Sequence, residues 1–263
     1  MNLSALIIAK DEEQTIEDCL KQLSFVDEVI VLDQDSKDNT LKIAQKYADK
    51  IISSNREDFA LNRNLLAKTA QGKWLLYIDC DERLSPDLIA KIQSIIAKPE
   101  HDAYYIPRKN FVLGKPVLHG GWWPDYTPRL FKKESLLNWQ GKVHESPQIK
   151  STFGYLNIPL VHLSARNTNF MLRKTIKWAK VEARLYHDAT NPKITIIKLI
   201  KASTLEFLRR YILKRGFQDG SIGLIESIYQ ALHKSIIFTY LWEMQQKTDQ
   251  KFEEVKRKVQ QEM

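Results

Sequence analysis

An α/β fold is predicted, with a doubly wound, mostly parallel sheet and a C-terminal helical extension. Three features predict it. Short apolar runs alternate with helical patterns through the first hundred residues. Those runs are continuous rather than alternating, as expected of strands covered on both faces. From about residue 167, basic and apolar residues recur together at helical spacing.

The elements follow in order. Residues 3–9 are apolar and predict the first strand; Ile16, Cys19, Leu20 and Leu23 then recur at helical spacing. Residues 28–32 predict a second strand, which ends in a polar cluster before a helix carrying Leu41, Ile43, Ala44 and Tyr47. A short third strand falls at 50–53 and a helix with Arg63 and Asn64 at 58–70. The run from Trp74 is the fourth strand; Gln71-Gly72-Lys73 bounds it upstream and Asp79-Cys80-Asp81-Glu82 ends it. A helix over 87–96 and a strand over 102–107 complete the alternation. An irregular stretch rich in Gly, Pro and Trp follows, then apolar helical patterns at 194–215 and 222–242. We divide the chain into an α/β domain, 1–166, with halves 1–100 and 101–166, and a helical, basic region, 167–263.

The composition bounds the function. Forty Lys and Arg against 32 Asp and Glu leave a charge of +8, which favours an anionic partner. The two cysteines, Cys19 and Cys80, make neither a disulfide framework nor zinc spacing, so a reducing compartment is expected. The start of the chain does not read as a signal peptide, and no apolar run is long enough to span a bilayer.

The chemistry gathers at the strand ends. Carboxylates two apart on extended backbone point the same way, so Asp79 and Asp81 would converge beyond the fourth strand. In open α/β sheets that edge is where ligands bind. Converging carboxylates repel unless a cation, proton or hydroxyl intervenes, and hard oxygen ligands suit Mg²⁺ or Mn²⁺. No Gly-x-Gly-x-x-Gly and no P-loop is present, so metal and Arg or Lys must hold any phosphate. Trp122, Trp123 and Trp139 could stack on a sugar or serve as local core.

The motifs together resemble family 2 glycosyltransferases of the GT-A fold, and among them bacterial lipopolysaccharide-core glucosyltransferases. The carrying residues are Leu6-Ile7-Ile8-Ala9-Lys10-Asp11-Glu12-Glu13, Val31-Leu32-Asp33 with Ser36 and Asp38-Asn39-Thr40, Arg63-Asn64, and Asp79-Cys80-Asp81-Glu82. His119-Gly120-Gly121-Trp122-Trp123-Pro124-Asp125, Arg129-Leu130-Phe131, His144-Glu145 and Lys214-Arg215-Gly216-Phe217-Gln218-Asp219-Gly220 extend the match over most of the chain. Gln34 stands where the family often has a second Asp, so the base contact could fall to Asp33, Gln34 or Asp35. The resemblance implies inverting transfer from a nucleotide-sugar, most often a UDP-sugar. Ala9, Lys10, Asp11, Glu13, Asp33, Gln34, Asp35, Arg63, Asp79, Cys80 and Asp81 would line the donor site. Asp81, with Asp79 and His162, would hold Mg²⁺ or Mn²⁺. Trp122, Trp123, Arg129 and His144 would face the acceptor, a glycan or a lipid-linked one such as lipopolysaccharide core. The base would be Asp125, its pKa raised by desolvation behind Trp-Trp-Pro, or else Glu145.

The basic amphipathic stretch 194–242 is expected to touch an anionic membrane, which puts the protein in the cytoplasm at the inner face of the membrane, or else to pair with a second copy. Two other readings remain. A nucleotidyltransferase also uses an α/β sheet with metal carboxylates but wants a Gly-rich basic loop after strand one. A nucleic-acid-binding protein would explain the +8 charge, yet carboxylates crowd the best crevice.

Overall fold

A computed structural model describes residues 2–56, 58–141, 145–189 and 193–246, and beyond them 252, 255, 257, 259 and 260. By compactness the chain forms two units. A catalytic unit comprises Met1–Phe111 and Trp123–Ser164; a helical unit comprises Val112–Trp122 and Ala165–Met263. The helical unit thus includes the 112–122 excursion, which a single cut at 166 assigns to the first domain.

In the catalytic unit, β1 (Leu3–Ala9), β2 (Glu28–Asp33), β3 (Lys50–Ser53) and β4 (Trp74–Tyr77) pair in parallel, in the order β3-β2-β1-β4. Between them run α1 (Ile16–Lys21), α2 (Thr40–Ala44) and α3 (Phe59–Thr69). Every residue of β2 and β4 is buried, the signature of a strand covered on both faces. Ile16, Leu20 and Ala44 pack on one face together with Leu88 and Ile92 of α4 (Pro86–Ala97); Ala60 and Leu66 of α3 pack on the other with Trp139. Helices on both faces make the sheet doubly wound. The caps are local: the Asp58 and Ser85 side chains accept from Leu61 N and Leu88 N. Gly72 allows the chain to enter β4 against β1, because a Cβ there would lie 2.6 Å from Ser4 N. Buried Glu28 ties this corner, accepting from Ser4 Oγ, Lys50 Nζ and Gln71 N.

Beyond β4 the sheet turns antiparallel. The stretch read as irregular contains strands. After the two-residue β5 (Glu82–Arg83) come β6 (Ala103–Val112), β7 (Lys115–Pro116), β8 (Asp125–Lys132), β9 (Leu136–Gln140), β10 (Ser146–Ile149), β11 (Phe153–Tyr155) and β12 (Leu160–Ala165). The order continues β4-β8-β6-β12-β5. β8 lies antiparallel to both β4 and β6, whose register sets Arg108 opposite Asp125. Trp139 is core rather than a sugar platform: its ring meets Tyr77 and Phe131 edge-on.

The helical unit holds α5 (Thr168–Ala189), α6 (Ile196–Leu208) and α7 (Ser221–Gln246). Ala179 and Ala183 of α5 pack on Ile237 of α7, and Ser203 of α6 meets Ser235 of α7 at 2.6 Å. The 112–122 excursion joins them through Val112, Val117 and Trp122 against Met171 and Ile222. Among the described residues no helix is long and apolar enough to cross a membrane.

Candidate active site

The loops after β1 and β2 are latched together by side chains bonding backbone. Ser36 Oγ accepts from Asp11 N, Asp11 Oδ1 from Lys37 N, and Asp38 from Glu13 N. Glu13 returns a bond to Asn39 N. Asp11 has φ of +55° and Asp35 of +58°, left-handed positions that Asp tolerates. Lys10, Asp11 and Asp35 are exposed, and Asp35 pairs with Lys37 at 2.7 Å. Ala9 is buried and its carbonyl takes Gln34 N. Of the three candidates for the base contact, Gln34 is spent on Arg56 O. Asp33 is buried, its Oδ2 accepts from Ser36 N, and its Oδ1 has no donor among the described residues. A buried carboxylate oxygen without a partner is costly, and a ligand N–H would satisfy it.

The acidic motif is not extended. Glu82 N bonds Asp79 O at 3.0 Å and Asp79 N bonds Glu82 Oε2 at 3.0 Å, which closes 79–82 into a tight turn. Asp79 and Asp81 consequently serve different partners instead of converging. Asp79 is clamped by Arg129, which also holds the fully buried Glu82, and Arg63 lies 3.7 Å away. Burial alone would raise the Asp79 pKa, but the cations Arg129, Arg63 and Arg108 hold it well below the usual carboxylate range. Glu82 goes the other way, pushed up by burial and by neighbouring Asp79 against the pull of Arg129. Arg129, read from sequence as an acceptor contact, is buried beneath the turn and positions it. Cys80 is buried too, its thiol donating to Ile8 O and its pKa raised by burial, so its side chain faces the core rather than a donor. Arg63 is sandwiched in the interior, 4.7 Å from the Trp139 ring and 5.3 Å from that of Tyr77, with Nε donating to Glu145 at 3.2 Å.

A polar chain links the other carboxylates. Asp125 Oδ2 accepts from Arg108 Nε at 2.9 Å and from Asn110 Nδ2 at 3.0 Å. Asn110 is buried, and its Oδ1 meets His162 Nδ1. His162 Nε2 lies 3.3 Å from Asp81 Oδ2. Because the Asn110 amide gives its N–H to a carboxylate, its oxygen faces Nδ1, and Nδ1 must carry the proton. The other ring nitrogen, Nε2, is the one turned to the Asp81 carboxylate, where either a proton or a cation can bridge the two. An imidazole oriented by an amide is a usual metal-ligand arrangement. The donor set fits Mn²⁺ or Mg²⁺ when further oxygens come from a diphosphate. Among the described residues no three His, Cys, Asp or Glu side chains cluster as a complete metal site.

Arg108 and Asn110 escaped the sequence reading, and Glu82 was read as part of the acidic motif without a role of its own. Arg108 and Asn110 are two apart on β6, facing Asp125 on β8, a signal visible only once that pairing is known. Trp123 is exposed in the catalytic unit; Trp122 is half-buried and belongs to the helical unit. His144 lies outside the described residues.

The unsatisfied buried carboxylate and the Asp–His pair lie at strand ends of a mixed α/β sheet, the edge where such sheets bind ligands. The model of the family described as glycosyl transferase family 2 matches residues 4–151. An uncharacterised glycosyltransferase of Rickettsia bellii is 33% identical over 263 residues, covering 92% of this chain and 86% of that protein. The lipopolysaccharide core biosynthesis glycosyltransferase LpsC of Rhizobium meliloti is 24% identical and covers 88% of each chain. Among solved structures, S. aureus TarS 1–349 in complex with UDP-GlcNAc aligns over 94% of this chain and 92% of that one, at 15% identity and a TM-score of 0.47. The chain belongs to glycosyltransferase family 2, and its fold is GT-A.

Proposed function

We propose that this glycosyltransferase moves a hexose from UDP to a hydroxyl of a glycan or glycolipid, lipopolysaccharide core among them, with inversion and with Mg²⁺ or Mn²⁺. The observation that carries the donor assignment is Asp33: a buried carboxylate oxygen at the end of β2 without a donor. The N3–H of uracil is a donor of the right kind. The latched loops at Asp11 and Glu13 frame the ribose side. Similarity to LpsC supports the core-type acceptor.

Asp81 and His162 would hold the divalent cation. When bound, it offsets the charge that develops on the departing diphosphate. Arg63 adds positive charge beside Asp79 from a position fixed by Trp139 and Glu145. Asp125 is the base. Arg108 and Asn110 both bond Oδ2, which fixes the carboxylate and assigns the proton to Oδ1. Oδ1 takes the acceptor hydroxyl proton as that oxygen bonds to the anomeric carbon, and the bond to the diphosphate oxygen breaks with its electron pair. Glu145, held in the same way by Arg63, is the alternative base. Replacing Asp33 by Ala tests the donor site: UDP affinity should fall about tenfold, as one charge-assisted hydrogen bond is lost. Unchanged affinity, measured by calorimetry, would move the base contact elsewhere.

A further inference from the structure

We propose that α6 and the turn after it form a docking surface for an anionic lipid bilayer. Helix α6 buries no residue fully. Its inner side, with Leu199, Ser203 and Phe207, is only half-buried. Its exposed side is rich in hydrocarbon among lysines: Ile196 is 75% exposed and Ile197 77%, with Ile200 and Leu205 each more than half exposed, and the turn after it adds Ile212 and Leu213, the latter 78% exposed. Positions 197, 200, 201, 204, 205, 208 and 212 fall on one stripe at helical spacing. A helix apolar on both sides is matched by hydrocarbon on both sides, and α7 covers only one of them.

The charges select the occupant. Between residues 193 and 215 stand Lys193, Lys198, Lys201, Arg209, Arg210, Lys214 and Arg215, against one acid, Glu206. That acid is held by Arg209 at 2.7 Å and Arg210 at 2.6 Å. Lys214 is found with its pKa lowered by desolvation and by Arg209 and Arg210, the mark of crowded positive charge. A second copy docked face to face would set this charge against itself. A leaflet with anionic headgroups supplies both counter-charge and hydrocarbon, and long Lys and Arg side chains reach the headgroups while their neighbours enter the acyl boundary.

The surface is narrower than the 194–242 stretch read from sequence. α7 turns Ile222, Ile237 and Leu241 inward. Its exposed Leu224, Ile228 and Leu232 have no Lys or Arg between residues 221 and 232. Docking is confined to about 193–217, where Phe217 is the last exposed apolar residue.

Vesicle co-sedimentation tests this with the full chain. One set of vesicles is phosphatidylcholine; the other is equal parts phosphatidylcholine and phosphatidylglycerol. The protein should sediment with the second set and be released by salt. Ile197→Glu/Leu205→Glu and Lys198→Glu/Lys201→Glu should each weaken binding at least about tenfold, since one buried apolar side chain, or two lipid-facing cations together, contribute that much. Thermal midpoint and UDP-induced stabilisation, which report the fold and the donor site separately, should not change. Absence of binding to anionic vesicles, or binding by either double variant as tight as that of the unchanged protein, overturns the proposal. A dimer in light scattering that Ile197→Glu/Leu205→Glu dissociates overturns it in favour of a second copy.

Discussion

The two units place the same residue classes in opposite ways. The catalytic unit buries charge: Glu28, Arg63, Glu82 and Arg129 lie inside, each paired. The helical unit exposes hydrocarbon along α6. Both arrangements are costly for folding alone, since desolvated ions must find partners and exposed isoleucine gains nothing from water. Departures of this kind concentrate where function needs them. In the proposed reading, the buried ions of the first unit position carboxylates for chemistry, and the exposed face of the second meets an apolar, anionic surface.

The sharpest way to break the contrast is at the base. Asp125→Asn should lower turnover about 10²- to 10⁴-fold, the usual range for a positioned proton acceptor. UDP affinity should stay as it is; retained turnover would transfer the role to Glu145. Next comes the ion cluster. Arg129→Met leaves Asp79 and Glu82 facing each other without their shared cation and should cost about 3–5 kcal/mol in denaturant unfolding. Adding Glu82→Gln should recover part of that, because it removes one of the stranded charges. The pH response is smaller. Asp79 has a folded pKa below its ordinary 3.8. Its contribution to stability is therefore complete above that value and is lost as the pH falls through and below it. Asp79→Asn should flatten the acid limb of the stability curve below about pH 4, in the range where the ordinary carboxylate titrates. Smallest is the effect of Ile197→Glu on stability, within about 0.5 kcal/mol, since the site is already in water. A larger loss in thermal unfolding would mean that the face is packed in the free protein.

Much of the parallel half was legible in the sequence, because buried parallel strands are continuous apolar runs. Leu3–Ala9 agrees with the expected span, and Glu28–Asp33 differs by one residue at its end. Of the antiparallel half only the start of β6, expected over 102–107, was legible. β6 runs through Pro107 to Val112, and β8 carries Pro128 and Arg129 in its middle. Their pairing is set by partners far along the chain, which local pattern does not reveal. At the site, Asp79 and Asp81 were found by composition but misoriented: extended geometry was assumed where Glu82 closes a turn. Arg129 was assigned by motif to the acceptor, whereas burial assigns it to the acidic turn. Asn110 carried no signal, since its meaning lies in spanning Asp125 and His162.

The central claim is a UDP site completed by a divalent cation beside Asp81 and His162. Thermal unfolding with UDP, GDP or ADP, each with Mn²⁺ or with chelator, tests it most directly. Ligand at about a hundred times its Kd stabilises by about 2.7 kcal/mol. For a chain of this size that is a rise of about 5–10 °C. The account predicts this rise for UDP with Mn²⁺, little for GDP or ADP, and its loss in Asp81→Ala. No shift with any nucleotide, or a UDP shift indifferent to Mn²⁺ and to Asp81, would contradict it.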